Sequence, residues 1–262
     1  MDIGIKLDIR GLSKSFRLDK GRQVTALQHI DLSIADGEFV CVIGASGCGK
    51  TTLLRIIGGF EQADAGHVDI DATGGDLITS TVFQEDSIFP WLTAEENVEY
   101  GLRIRGVAPA ERRATVDYFI EKVGLGAFRR AYPTQLSGGM RQRVSVARAF
   151  ANRPEVLLMD EPFGALDEQT RLVLQDEILR LWSVHRRTVI FVTHSLDEAI
   201  ALSDRVVVLS ARPGRIREIV PIDIPRPRNV AQLRSHPRYG ALYEKLWNLI
   251  QGDVVAAAGA AT

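Results

Sequence analysis

Several short, largely apolar runs punctuate this chain: Phe39-Val40-Cys41-Val42-Ile43, Val156-Leu157-Leu158-Met159 and Thr188-Val189-Ile190-Phe191-Val192-Thr193. A shorter one is Thr81-Val82-Phe83. Runs of this length with no alternation fit strands buried on both faces of a parallel sheet. Between them the period lengthens. Leu174, Ile178, Leu181 and Trp182 fall at i, i+4, i+7 and i+8, one packing face of a helix. Glu111 to Val123 is amphipathic, and Thr51 to Ile57 reads as the first turns of another helix. The pattern therefore predicts a β-rich edge with strand and loop over residues 1–85, a mainly helical stretch over 86–152, and a return to sheet over 153–220. From Pro221 prolines break the pattern, and a last helix is expected near Tyr239 to Ile250, followed by a disordered small-residue tail. No internal repeat is visible. The expected class is α/β.

What the strands end in carries the chemistry. The run at 39–43 leads into Gly44-Ala45-Ser46-Gly47-Cys48-Gly49-Lys50-Thr51, which fits the phosphate-loop pattern G-x-x-x-x-G-K-[ST] in its required strand–loop–helix context. Gly44, Gly47 and Gly49 allow successive N–H groups to point inward as an anion nest, and the helix N-terminus adds partial positive charge. Lys50 is suited to neutralise the β- and γ-phosphates, and the Thr51 hydroxyl to ligate magnesium. These features point to a mononucleotide triphosphate site.

The run at 156–159 closes on Asp160, Glu161 and Pro162. Carboxylates at the C-terminal edge of an open α/β sheet lie where its ligands bind. Asp160 suits the magnesium shell, and Glu161 suits the polarisation of an attacking water. Two further strand ends supply His194, able to donate to a γ-phosphate, and Gln84, whose amide is expected near magnesium or the water.

With Leu136-Ser137-Gly138-Gly139-Met140-Arg141-Gln142-Arg143 added, the chain resembles the ATP-binding subunit of ABC transporters over nearly all of residues 8 to 215. The order is an early aromatic, phosphate loop, Gln84, this signature, the acidic strand, Ala165-Leu166-Asp167 and His194. The signature itself reads as a second helix N-terminal anion site, since Ser137 and two glycines precede a helix with apolar positions at Val144, Ala147 and Phe150. The resemblance implies a P-loop NTPase (RecA-like) core with an antiparallel β edge and an inserted α-helical subdomain. It sets an ATPase domain at 8–240 (core 1–85 and 153–220, helical subdomain 86–152) and a C-terminal extension at 221–262. ATP and Mg2+ are the implied cofactors. The implied ATP contacts are Gly44, Ala45, Ser46, Gly47, Cys48, Gly49, Lys50, Thr51 and Thr52, with Phe16 stacking on adenine and Val24 under the sugar or base. Phe16 stands where tyrosine is more usual and keeps the π-face. The implied magnesium ligands are Thr51, Gln84 and Asp160, and the catalytic set is Glu161, His194 and Gln84. Ser137, Gly138, Gly139 and Asp167 are implied to close the ATP site of a partner in a head-to-tail homodimer.

Val82-Phe83-Gln84 followed by Phe89-Pro90-Trp91-Leu92-Thr93, Asp160 to Asp167, Arg212-Pro213-Gly214-Arg215 and Ile224-Pro225-Arg226-Pro227-Arg228 look like the nitrate/sulfonate/taurine importers in particular. That likeness implies transmembrane permease subunits as partners, a periplasmic solute-binding protein indirectly, and a peripheral place on the cytoplasmic face of the inner membrane. Trp91 would then lie on the permease-docking face; the alternative is a core tryptophan in a loop. Two departures stand out: Ser195 follows His194 where an acidic residue is common, and Asp69 to Ser80 is an unusual glycine-containing segment. The rival is a signature-type ATPase acting on DNA or ribosomes. Such proteins carry a long coiled coil or a duplicated cassette, and this chain shows neither. A silent regulator is disfavoured by the presence of Glu161 and His194.

Composition narrows this further. The 262 residues carry a net charge of −1, which gives no electrostatic reason to expect nucleic acid or an anionic membrane. The arginines near Arg226 read as a solvated tail. Cys41 falls in a buried strand and Cys48 in the phosphate loop, so no structural disulfide is expected and a reducing compartment is implied. No stretch approaches the ~20 apolar residues of a membrane span. Asp2, Lys6 and Asp8 interrupt the N-terminal apolar residues, unlike a signal peptide.

Overall fold

A computed structural model describes residues 4–17, 22–72, 77–84, 87–164 and 166–259. Asp2, Ala165, part of the segment from Asp69 to Ser80 and the end of the tail fall outside them. In chain order the elements begin with β1 (Ile5–Arg17), β2 (Gln23–Ala35), β3 (Phe39–Ile43), α1 (Lys50–Ile57), β4 (Ala65–Ile70) and β5 (Thr79–Val82). There follow α2 (Ala94–Ile104), α3 (Pro109–Lys122), α4 (Gly138–Ala151), β6 (Val156–Asp160) and α5 (Glu168–His185). The chain ends with β7 (Thr188–Val192), α6 (Leu196–Leu202), β8 (Arg205–Leu209), β9 (Ile216–Pro221) and α7 (Tyr239–Gly259). These form two compact units, Met1–Thr73 with Thr188–Thr262, and Gly74–Arg187.

The first unit holds two sheets. β1 pairs antiparallel with β2 on one side and β4 on the other, the antiparallel edge expected from the sequence. β3 lies parallel between β7 and β8, and β9 closes the edge antiparallel to β8. Every residue of β3 and β7 is buried, as their unbroken apolar runs require. In the second unit β5 and β6 pair in parallel, in register Val82 to Met159. The helices start where side chains supply the missing acceptors. Thr93 and Glu96 form a capping box on α2, Pro109 occupies the first turn of α3, and Asp167 caps α5. The stripe Leu174, Ile178, Leu181 and Trp182 is buried on α5.

Two expectations at the C-terminus are corrected. α7 runs on to Gly259, past Ile250. Gly252, Asp253, Val254 and Val255 are poor helix formers, but Asp253 is tied to the Ala211 N–H at 2.8 Å and to Arg217 at 2.9 Å, and alanines follow. The arginines near 226 do not form a solvated tail. Arg226 bonds the Asp204 carboxylate at 2.8 Å and the Leu202 carbonyl at 2.5 Å. Arg228 is buried and donates to the carbonyls of Ile200 at 3.0 Å, Ala201 at 3.3 Å and Ser203 at 2.6 Å. It also reaches Ile224 at 3.0 Å and Ile222 at 3.2 Å. A helix end leaves carbonyls without intrahelical partners, and one guanidinium satisfies those of α6. Arg234 and Tyr239 both hold Asp197 in the first turn of the same helix.

Candidate functional site

The loop after β3 is built around an inward lysine. Gly49 sits at φ 107°, and a Cβ there would meet Leu27 Cδ2 at 2.7 Å and the Ala26 carbonyl at 2.8 Å, so only glycine fits against β2. It leaves α1 without a side-chain cap and with no acidic residue in its first turn. Uncapped N–H groups with partial positive charge are a ready anion site. Lys50 is 6% exposed, and its Nζ donates to the carbonyls of Gly44 at 2.9 Å and Ala45 at 3.2 Å. Ser46, Gly47 and Thr51 are exposed, Thr52 is half-buried, and Ala45 and Cys48 are buried. Both cysteines are free, and burial pushes both thiols up, so neither is a ready nucleophile.

In the same unit β7 lies beside β3 in parallel, with Val42 opposite Val192, and Thr193 donates its N–H to the Val42 carbonyl at 3.2 Å. The register brings His194, which is exposed, to the sheet end from which the phosphate loop departs. Ser195, the departure noted in the sequence, caps α6 by accepting from the Glu198 N–H at 3.3 Å. Glu198 in turn accepts a short hydrogen bond from the Thr193 hydroxyl. These bonds fix both flanks of His194. Phe16 and Val24 are direct partners across β1 and β2. The Phe16 ring is partly exposed, with Lys14 Nζ 5.2 Å from its centroid.

One contact of this loop was missed from sequence. Arg212, between β8 and β9, donates to the Gly47 carbonyl through Nε at 3.1 Å and Nη2 at 3.0 Å. The Arg212-Pro213-Gly214-Arg215 string was visible, but nothing in it named its partner.

The second unit gathers the other candidates. Asp160 closes β6 and is buried, and Glu161 follows in the left-handed region at φ 44°. A non-glycine residue there is strained by roughly 1–3 kcal/mol, a cost typical of residues whose side chain must be aimed. Gln84 leaves parallel β5 at the same end, and its amide nitrogen lies 3.7 Å from the site a Cβ on Gly164 would take. Ser137 caps α4, accepting from the Met140 N–H at 3.2 Å, and is exposed with Gly138. Val144, Ala147 and Phe150 are buried on that helix, the face expected. Asp167 accepts from the Thr170 N–H at 3.0 Å, a bond that holds its carboxyl below the usual range. Gly139 packs against Thr170, so the N-termini of α4 and α5 stand side by side.

Comparison with known proteins agrees with this chemistry. The pattern defining the ABC transporter family matches residues 27–164. An uncharacterized ABC transporter ATP-binding protein of Methanocaldococcus jannaschii is 48% identical over 96% of this chain and 93% of its own length. The nitrate import ATP-binding protein of Synechocystis is 41% identical over 94% of this chain and 95% of its own. Among solved structures, a dimeric ATP-binding cassette in a post-hydrolysis state, bound to ADP and Pi, superposes with a TM-score of 0.72 at 30% identity. It covers 84% of this chain and all of that one. The P-loop NTPase fold is thereby shared, and the chain belongs to the ABC transporter family as one of its ATP-binding, ATP-hydrolysing cassettes.

Proposed function

We propose that this chain drives solute import by binding and cleaving ATP between two copies arranged head to tail. The observation that carries the reading is the buried Lys50 ammonium, folded onto its own loop's carbonyls beside an uncapped helix N-terminus. A triphosphate replaces those neutral acceptors with charged ones, which are roughly twice as strong. Phe16 stacks on adenine with Val24 below it, and the loop from Gly44 to Thr52 cradles the phosphates. Ser137, Gly138, Gly139 and Asp167 of one copy close the site of the other.

The residues assigned to magnesium fit a hard cation: the Thr51 hydroxyl, the Asp160 carboxylate and the Gln84 amide oxygen. When bound, the ion screens the charge of the β- and γ-phosphates. Glu161 accepts the proton of the attacking water, and His194 donates to the γ-phosphate, where negative charge accumulates. After cleavage the contacts to the γ-phosphate are lost and the two copies separate, a two-state element able to do work.

Residues 8–240 form the ATPase domain in this reading, with 86–152 as its helical subdomain and 221–262 as an extension. No helix among the described residues is long and apolar enough to cross a membrane. Attachment to the inner membrane's cytoplasmic face then runs through permease subunits, which a periplasmic binding protein supplies with solute. Trp91 is 69% exposed, with its ring 5.6 Å from that of Phe89, and exposed aromatics of this kind anchor interfaces. Nitrate, taurine or another sulfonate is the solute class, supported by the nitrate-import relative. A tagged chain purified in detergent from its own cell should carry a multi-span protein, and a Trp91→Ala variant should lose it. Recovery with ribosomes or nucleic acid instead would contradict the importer reading. A deletion strain tested on nitrate, taurine and alkanesulfonates as sole source identifies the solute.

A further inference from the structure

The Arg212-Pro213-Gly214-Arg215 turn has no part in the chemistry above, yet it is bound tightly to the phosphate loop. It closes on itself through the Ser210 N–H to Arg215 carbonyl bond at 2.9 Å. It is stitched to β2, since the Gly214 N–H donates to the Ala26 carbonyl and the Gln28 N–H to the Gly214 carbonyl, each at 2.9 Å. Arg215 reinforces the seam through Gln28 Oε1 at 2.7 Å. A Cβ on Gly214 would fall 2.1 Å from the Cys48 carbonyl, so backbone lies directly against backbone. The turn is also held from behind. Asp253 on α7 accepts from the Ala211 N–H at 2.8 Å and pairs with Arg217 at 2.9 Å.

From this platform Arg212 sends two donors to one acceptor, the Gly47 carbonyl. In a trans peptide the carbonyl and the next N–H point in opposite directions. Fastening the Gly47 carbonyl outward therefore directs the Cys48 N–H inward, where it now meets the Ala45 carbonyl at 3.2 Å. An N–H held inward is what an anion nest needs, and a charge-assisted bond on the carbonyl also polarises it as a donor.

We propose that Arg212 is a positioning residue for the phosphate loop, and that Asp253 makes the C-terminal helix part of the nucleotide site. This rests on the reading of Gly44 to Thr51 as that site. The fold does not need Arg212, whose side chain is exposed, so its loss should act on affinity for ATP rather than on stability.

The test is steady-state ATP hydrolysis by the full chain, with thermal unfolding as a folding control. Arg212→Ala should raise the KM for ATP about tenfold, the effect of losing a charged hydrogen bond, with kcat falling far less. Arg212→Lys, which restores one donor, should recover part of the loss. Asp253→Ala should raise KM about threefold. Asp253→Asn, which keeps a carbonyl oxygen for the Ala211 N–H, should lie closer to wild type. Lys50→Ala is the control. If it weakens ATP binding about 100-fold while Arg212→Ala leaves KM within twofold, the positioning role is wrong and the site stands. If Lys50→Ala binds ATP normally, the site itself is misplaced and the proposal falls with it.

Discussion

Gly139, in the first turn of α4, packs so closely on Thr170 in the first turn of α5 that a Cβ there would sit 2.6 Å from the threonine Cγ2. That contact sets two helix N-termini beside each other, one capped by Ser137 and one by Asp167. Gly139→Ala should favour the helix by roughly 1 kcal/mol on propensity alone. Crowding against Thr170 should nonetheless force the two ends apart. The expected result is a fall in hydrolysis of about tenfold or more, with ATP affinity of the separate copy, set by its own phosphate loop, little changed, from overpacking of about 1–3 kcal/mol. Adding Thr170→Ser removes the opposing methyl and should restore much of the rate. A double variant no better than Gly139→Ala would show that this closeness is not the reason for the glycine.

Lys50→Ala removes the cation that the loop now holds through Gly44 and Ala45. Charge-assisted contacts to phosphate are worth about 1.5–3 kcal/mol each, so ATP affinity should fall about 100-fold. Equilibrium titration with a fluorescent ATP analogue reads this directly, and undiminished affinity would remove the phosphate-loop assignment.

A pH dependence follows from His185. Its ring lies among Phe119 at 5.3 Å, Tyr118 at 5.7 Å and Phe150 at 6.4 Å between centroids. Its Nε2 is buried with no hydrogen-bond partner among the described residues. Burial, then the charges of Arg187 and Arg153, lower its proton affinity in the folded chain. The unfolded chain takes up a proton near the ordinary histidine value while the folded one resists it, so acidification favours unfolding. Stability in urea should fall between about pH 7.5 and pH 5.5, and His185→Phe should flatten that fall. An unchanged slope in the variant would mean that other groups carry it.

Much of this molecule was legible in its sequence because strand and loop signals are local. The runs at 39–43, 156–159 and 188–193 are buried strands within a residue of their expected ends, and the loop after β3 has the geometry its glycines require. Trp91 proved exposed, a choice between interface and core that periodicity leaves open in a loop. The misreading of Arg226 and Arg228 has a definite cause. Charge near prolines implies solvent unless the partner is known, and here the partners are backbone carbonyls at the end of α6, which no side-chain pattern records. Arg212 escaped notice for the same reason, since its acceptor is the carbonyl of Gly47.

The central claim is that intact ATP joins two copies of this chain and that cleavage parts them. Glu161→Gln keeps the shape of the side chain and removes its capacity as a base, so bound ATP should persist. Sedimentation of this variant, with saturating ATP and Mg2+, should show a dimer that reverts to monomer with ADP. A variant that stays monomeric with ATP, alone and beside its permease, would contradict the account.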